Sequence, residues 1–218
     1  MPHRPSLSRI SPFHFVSVLA LLTACSASGC AIETDVDDDD EGWAHSSSEL
    51  AVPGAWKLPA AVHAAGQEQD VRYDDAPAWQ GGAGCGGEIL PGTRELGDYL
   101  KETFSGVTSY GGYSCRQNTA NKAKTSVHGT GRALDVFIRL DDGEADNGKG
   151  DEVANWLVKN AERIGVQLVI WDRTMWVAAS SGDKAKAYTG PHPHHDHIHL
   201  ELTTDGAAKR TPFFDEER

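Results

Sequence analysis

The chain has 218 residues and a formal net charge of -12, from 20 Lys and Arg against 32 Asp and Glu. That length suits one ordinary domain plus tails, and the acidity argues against nucleic acid, which selects a basic surface. The charge is uneven. Residues 1–24 carry Arg4 and Arg9 and no acids, and residues 31–50 carry eight acids and no Lys or Arg. Taking +2 and -8 away from -12 leaves -6 for residues 51–218, a mildly acidic globule.

The first 24 residues have the form of a secretion signal. Arg4 and Arg9 precede an apolar run from Phe13 to Ala24, about 12 residues and too short to span a bilayer. Leu22-Thr23-Ala24-Cys25 resembles the lipobox of bacterial lipoproteins, with Cys25 as the residue to be acylated. Ala27-Ser28-Gly29-Cys30 is a poorer candidate, because Ala replaces the larger aliphatic residue. The expectation is a lipoprotein-type signal peptide over 1–24. The chain would then be lipid-anchored in the bacterial cell envelope, or secreted, and held to the membrane without spanning it. Residues 25–50, with Asp37 to Glu41 at their centre, are too polar to offset their ordering entropy and read as a disordered acidic tether. A calcium loop there would need an interleaved glycine and a terminal glutamate, which are missing.

Residues 51–84 read as an irregular lead-in, with Gln69 to Tyr73 as a candidate strand and Gly81 to Gly84 as a loop. Leu96, Tyr99, Leu100 and Phe104 recur at helical spacing over Thr93–Phe104, after Pro91 and Gly92. Val107–Tyr110 and Ala133–Leu140 read as strands. Asp151–Ile164 is an amphipathic helix stopped by Gly165. Val166–Trp171 and Thr174–Ala178 form a hairpin around Asp172-Arg173, and His197–Leu202 is a last strand. Helices and antiparallel strands without βαβ alternation give an α+β fold, a small antiparallel sheet with flanking helices. The domain is placed at 85–204, enough for one core, and 205–218 is a C-terminal tail. Cys85 and Cys115 are the two cysteines inside it. In an oxidising compartment they should form a disulfide.

The chemistry concentrates in Ser126 to Asp135 and in His194-His195-Asp196-His197-Ile198-His199. A catalytic zinc site needs three protein ligands and an open position. His128 and Asp135 lie seven apart with Gly131 and Ala133 between them, so a close turn can feed a strand carrying Asp135. His197 and His199 are two apart and share a strand face, so one can ligate while the other reaches the substrate.

The stretch matches Ser-x-His-x-x-Gly-x-Ala-x-Asp at Ser126, His128, Gly131, Ala133 and Asp135, followed by His197-x-His199. This resembles the zinc D-Ala-D-Ala peptidases, whose relatives include penicillin-insensitive murein endopeptidases, vancomycin-resistance dipeptidases and the Hedgehog signalling domain. The resemblance implies a Hedgehog/DD-peptidase-like fold and one Zn2+ per chain on His128, Asp135 and His199. His197 would be the catalytic neighbour, with Asp196 or His194 sharing the base role. Tyr113-Ser114-Cys115-Arg116 is similar to the segment whose arginine binds the substrate carbonyl, which makes Arg116 an oxyanion group. Ser126 either binds substrate or fixes its loop. Trp171, Trp176 and Tyr188 could floor a groove but fit core and hairpin packing better. His192 and His195 read as exposed loop histidines. The implied partner is peptidoglycan or its muropeptides, cleaved by a monomeric carboxypeptidase or endopeptidase. The alternative is a catalytically silent zinc-containing cell-wall binding module.

Overall fold

The computed structural model describes residues 55–215. The signal segment, the acidic tether, Cys25 and Cys30 lie outside them. Six strands form one antiparallel sheet: β1 (Val107–Gly111), β2 (Ala133–Ile138), β3 (Val166–Trp171), β4 (Thr174–Val177), β5 (Ala185–Ala187) and β6 (His197–Leu202). Their spatial order is β1-β2-β6-β3-β4-β5, so the last strand is inserted between β2 and β3. With its helices the fold is α+β, as the element pattern implies.

The period of two explains which side is core. Leu134, Val136 and Ile138 of β2, and Ile198, Leu200 and Leu202 of β6, are all buried. They meet Leu96 and Leu100 of α2 (Pro91–Thr103) and Val153 and Leu157 of α3 (Asn147–Lys159) in one cluster. The alternate residues Asp135, Phe137, His197 and His199 remain partly accessible on the other face. Across the β2–β6 ladder Asp135 pairs with His199 and Phe137 with His197.

Several elements differ from the sequence reading. Gln69 to Tyr73 forms no strand, but ahead of it α1 (Ala60–Glu68) packs on α3. Its alanines favour helix, but it is short and weakly amphipathic, so no apolar period marks it. Trp56, Val62 and Val71 join the main core. The helix read from Asp151 begins earlier, at Asn147, because the Asp146 side chain accepts from Lys149 N at 3.1 Å and caps it. It breaks at Asn160, and α4 (Ala161–Ile164) ends at Gly165 in the left-handed region, φ 88°. Asp172 and Arg173 turn the β3–β4 hairpin with φ of 31° and 63°, the twist a two-residue hairpin needs. The short α5 (Thr204–Ala207) follows β6, and Phe213 beyond it is 1% exposed. Its ring meets Tyr99 edge-on at 5.3 Å and lies 6.0 Å from Trp156.

Phe213→Ala should therefore cost about 3–5 kcal/mol, as for a buried aromatic. Denaturant unfolding of the variant beside the parent checks this. A loss below about 1 kcal/mol would mean that the residues after β6 do not share the core.

Candidate metal centre

His128 sits in a 3-10 turn, Val127–Thr130, that closes on Gly131 at φ 77°. A side chain there would meet Glu88 O at 2.2 Å, so the close turn into β2 requires glycine. That turn lays His128 over Asp135 and His199. His128 Nε2, Asp135 Oδ1 and His199 Nδ1 form a triangle with edges of 3.2, 3.1 and 3.1 Å. A tetrahedral zinc with bonds of about 2.0–2.1 Å separates its ligands by roughly 3.3 Å, so the three atoms fit one ion.

The outer contacts decide which nitrogens face inward. His128 Nδ1 donates to Gly112 O at 2.5 Å, and His199 Nε2 donates to Glu201 Oε1 at 3.3 Å. Each inward nitrogen is then a bare acceptor facing the other and a carboxylate oxygen. A cation resolves that arrangement, and such outer partners fix ligand tautomers. Without one, protons must. Burial opposes charge on His199, but its bonds to Asp135 and Glu201 outweigh this and raise its pKa to about 9. Burial likewise opposes ionisation of Asp135, yet hydrogen bonds from His128 and His199 hold its carboxyl far below the usual range.

Glu201 was not singled out by the sequence reading, although it continues the His197, His199 alternation on the same face. It is buried, and its Oε2 accepts from Tyr73 OH at 2.9 Å and Gln167 Nε2 at 3.2 Å. The turn of His128 is braced on both sides. Gly86 N donates to Gly129 O, Ser114 N to His128 O, and Ser126 N to Arg116 O. Cys85 and Cys115 form a disulfide with Cα atoms 5.7 Å apart, joining the two bracing loops.

Around the triangle, His197 Nδ1 donates to Asp196 Oδ1 at 2.8 Å, and its Nε2 points inward, 3.7 Å from Asp135 Oδ1. His194 is buried at a positive φ of 59°, its ring 4.9 Å from that of His197 and 5.9 Å from that of His199. Burial, with the neighbouring His199 and His197, pushes its pKa down to about 4, so the ring is neutral. Its Nδ1 has no hydrogen-bond partner. Arg116 donates to Gln117 O, its own neighbour, and Ser126 is buried at the start of the His128 turn. His195 is not a free loop histidine: its Nδ1 donates to the buried Asp172 at 2.8 Å. Asp172 N and Arg173 N also grip His194 O and Pro193 O at 2.8 Å, so the hairpin turn carries the His194 loop. Trp171 and Trp176 lie in the core, while Tyr188 meets the His194 ring edge-on at 5.0 Å.

An α+β domain with a His-Asp-His cluster able to hold a metal ion is the class that fold and site define. The family model for the VldE C-terminal domain matches residues 85–199, 115 of the 218 residues, and the chain belongs to that family. This overturns the resemblance to the zinc D-Ala-D-Ala peptidases, which rested on the few positions around His128, Asp135 and His199. A short metal motif records the geometry a cation imposes and can occur in separate families. Comparison with curated proteins and with solved structures gave no match, so the narrower Hedgehog/DD-peptidase-like description of the fold is not supported beyond α+β. Among the described residues no helix is long and apolar enough to cross a membrane.

Three outcomes follow for the metal centre. Equilibrium dialysis should find one zinc per chain in the parent and none tightly held in His128→Ala or Asp135→Asn, and near-normal zinc in either variant would reject the site. Zinc must displace the proton of His199, so affinity should rise with pH up to about 9. Stability of the metal-free protein moves the other way on that side. His199 has a folded pKa above its ordinary 6.5, so its contribution is complete below 6.5 and is lost as pH rises through about 9. Thermal melts with and without chelator across that range check both signs.

Proposed function

We propose that the protein is a zinc-dependent peptidase that hydrolyses peptide bonds of peptidoglycan. The observation that carries this reading is the inward Nε2 of His197, beside the His128–Asp135–His199 triangle and steadied by Asp196. A bound zinc would act as a Lewis acid and lower the pKa of water at the site. His128, Asp135 and His199 would hold it. His197 Nε2 is free to accept a proton from the attacking water, because Nδ1–H is committed to Asp196. It can return that proton to the leaving amine, the ordinary cycle of a general base. Asp196 keeps the imidazole in that tautomer. His194, neutral, stands beside the rings of His197 and His199. What supports wall peptides as the substrate class is the N-terminal sequence, whose lipobox-like Leu22-Thr23-Ala24-Cys25 would anchor the chain in the envelope beside them.

The test is incubation of the zinc-loaded full chain with purified peptidoglycan and defined muropeptides, with products followed by mass spectrometry. Expected are fragments from a cut peptide bond, absent after chelation and reduced at least about 100-fold in His197→Ala. Their masses separate carboxypeptidase from endopeptidase action. One zinc per chain with no product from any muropeptide would instead identify a zinc-stabilised binding module.

A further inference from the structure

We infer that Tyr73 and Glu201 are positioning residues of the metal centre that set how tightly His199 holds its ion. The inference rests on the reading of His128, Asp135 and His199 as metal ligands. Glu201 is 6% exposed, and three donors converge on it: His199 Nε2, Tyr73 OH and Gln167 Nε2. Tyr73 and Gln167 are uncharged. The buried Arg132 guanidinium also feels the Glu201 charge, but the charge bonded directly to the carboxylate comes through the imidazole, on the side where the cation would sit. An ionised carboxylate behind a ligating imidazole fixes its tautomer and raises its basicity.

The lead-in holds Tyr73 in place to complete this. Asp74 N donates to Gln167 Oε1 at 2.9 Å, and Thr204 N donates to Asp74 Oδ2 at 2.8 Å. The buried Arg132 guanidinium donates to the carbonyls of Asp74 and Asp75 at 3.0 and 3.1 Å. Tyr73 itself is 36% exposed. Losing its hydroxyl removes one bond to Glu201 and opens no cavity in the core. A residue far from the ligands in sequence thus reaches the metal through two hydrogen bonds.

The experiment measures Zn2+ affinity by competition with a chromophoric chelator, the visible spectrum of the Co2+-loaded protein, and the metal-free melting temperature. Full-length parent, Glu201→Gln, Tyr73→Phe and Phe213→Ala are compared. Glu201→Gln should weaken zinc about 10–100-fold, and Tyr73→Phe by about threefold or more, each with a shifted cobalt spectrum. Phe213→Ala destabilises the core beside Tyr99 and Trp156 without touching Glu201 or Tyr73. It should lower the metal-free melting temperature and leave affinity and spectrum unchanged. If Glu201→Gln does not fold, Tyr73→Phe decides. Parental zinc affinity in the variants that fold, or a Phe213→Ala loss equal to that of Tyr73→Phe, overturns the inference. A parent that binds no zinc would sink the metal-site reading itself.

Discussion

Asp135 and His199 face each other across the β2–β6 ladder, and the rest of the site depends on that register. Side chains alternate along a strand, so a slip of β6 by one residue would send His199 into the core and bring Leu200 out, away from Asp135. The apolar burial of the alternate residues makes such a slip costly. The same hydrophobic face that fixes the fold therefore fixes the ligand geometry. It also explains why the final strand is inserted in the middle of the sheet. Its neighbours on both sides anchor it, β2 supplying the carboxylate partner and β3 the wall behind the imidazole.

The third ligand arrives differently. His128 has no strand to aim it and relies on a turn that is gripped from outside by two loops. The disulfide joins those loops close to the turn, and Cys85 Sγ would lie 3.3 Å from a side chain on Gly129. Strand register and a cross-linked turn are two independent ways of pre-positioning ligands, and this site uses both. Pre-positioning matters because the inward acceptor atoms repel one another without a cation or protons between them, so the surrounding structure must hold them together.

The regular elements were legible in the sequence where a strong period declared them: α2, both strands of the hairpin, β2 and β6. The cluster able to hold a metal ion was legible too, because glycine, small residues and histidines must fall at fixed spacings for the turn and strand to meet. The family was not, since those spacings belong to the metal geometry and leave ancestry open. Other features left no local mark. The α1 helix is short and weakly amphipathic, β5 has three residues, and Phe213 follows a stretch with no clear period. Glu201 could have been found by extending the strand alternation two residues past His199. Its partner Tyr73 could not, because a contact across 128 positions has no signature in either segment. His195 was misread because a His-rich loop looks solvated until Asp172 is folded beneath it.

The segment that matches the family model and the unit that folds do not share boundaries. Residues 85–199 contain all three ligands and both cysteines of the disulfide. They exclude Trp56 and Phe213 from the core, Tyr73 and Glu201 from behind His199, and the Asp74 and Asp75 carbonyls that solvate the Arg132 guanidinium. A fragment trimmed to the matched region would keep the ligands in sequence. It would also leave a buried arginine with unmet donors and an imidazole with no carboxylate at its back. Similarity here marks the face that carries the His-Asp-His cluster, while part of the core and of the support behind His199 lies in flanks that similarity does not reach.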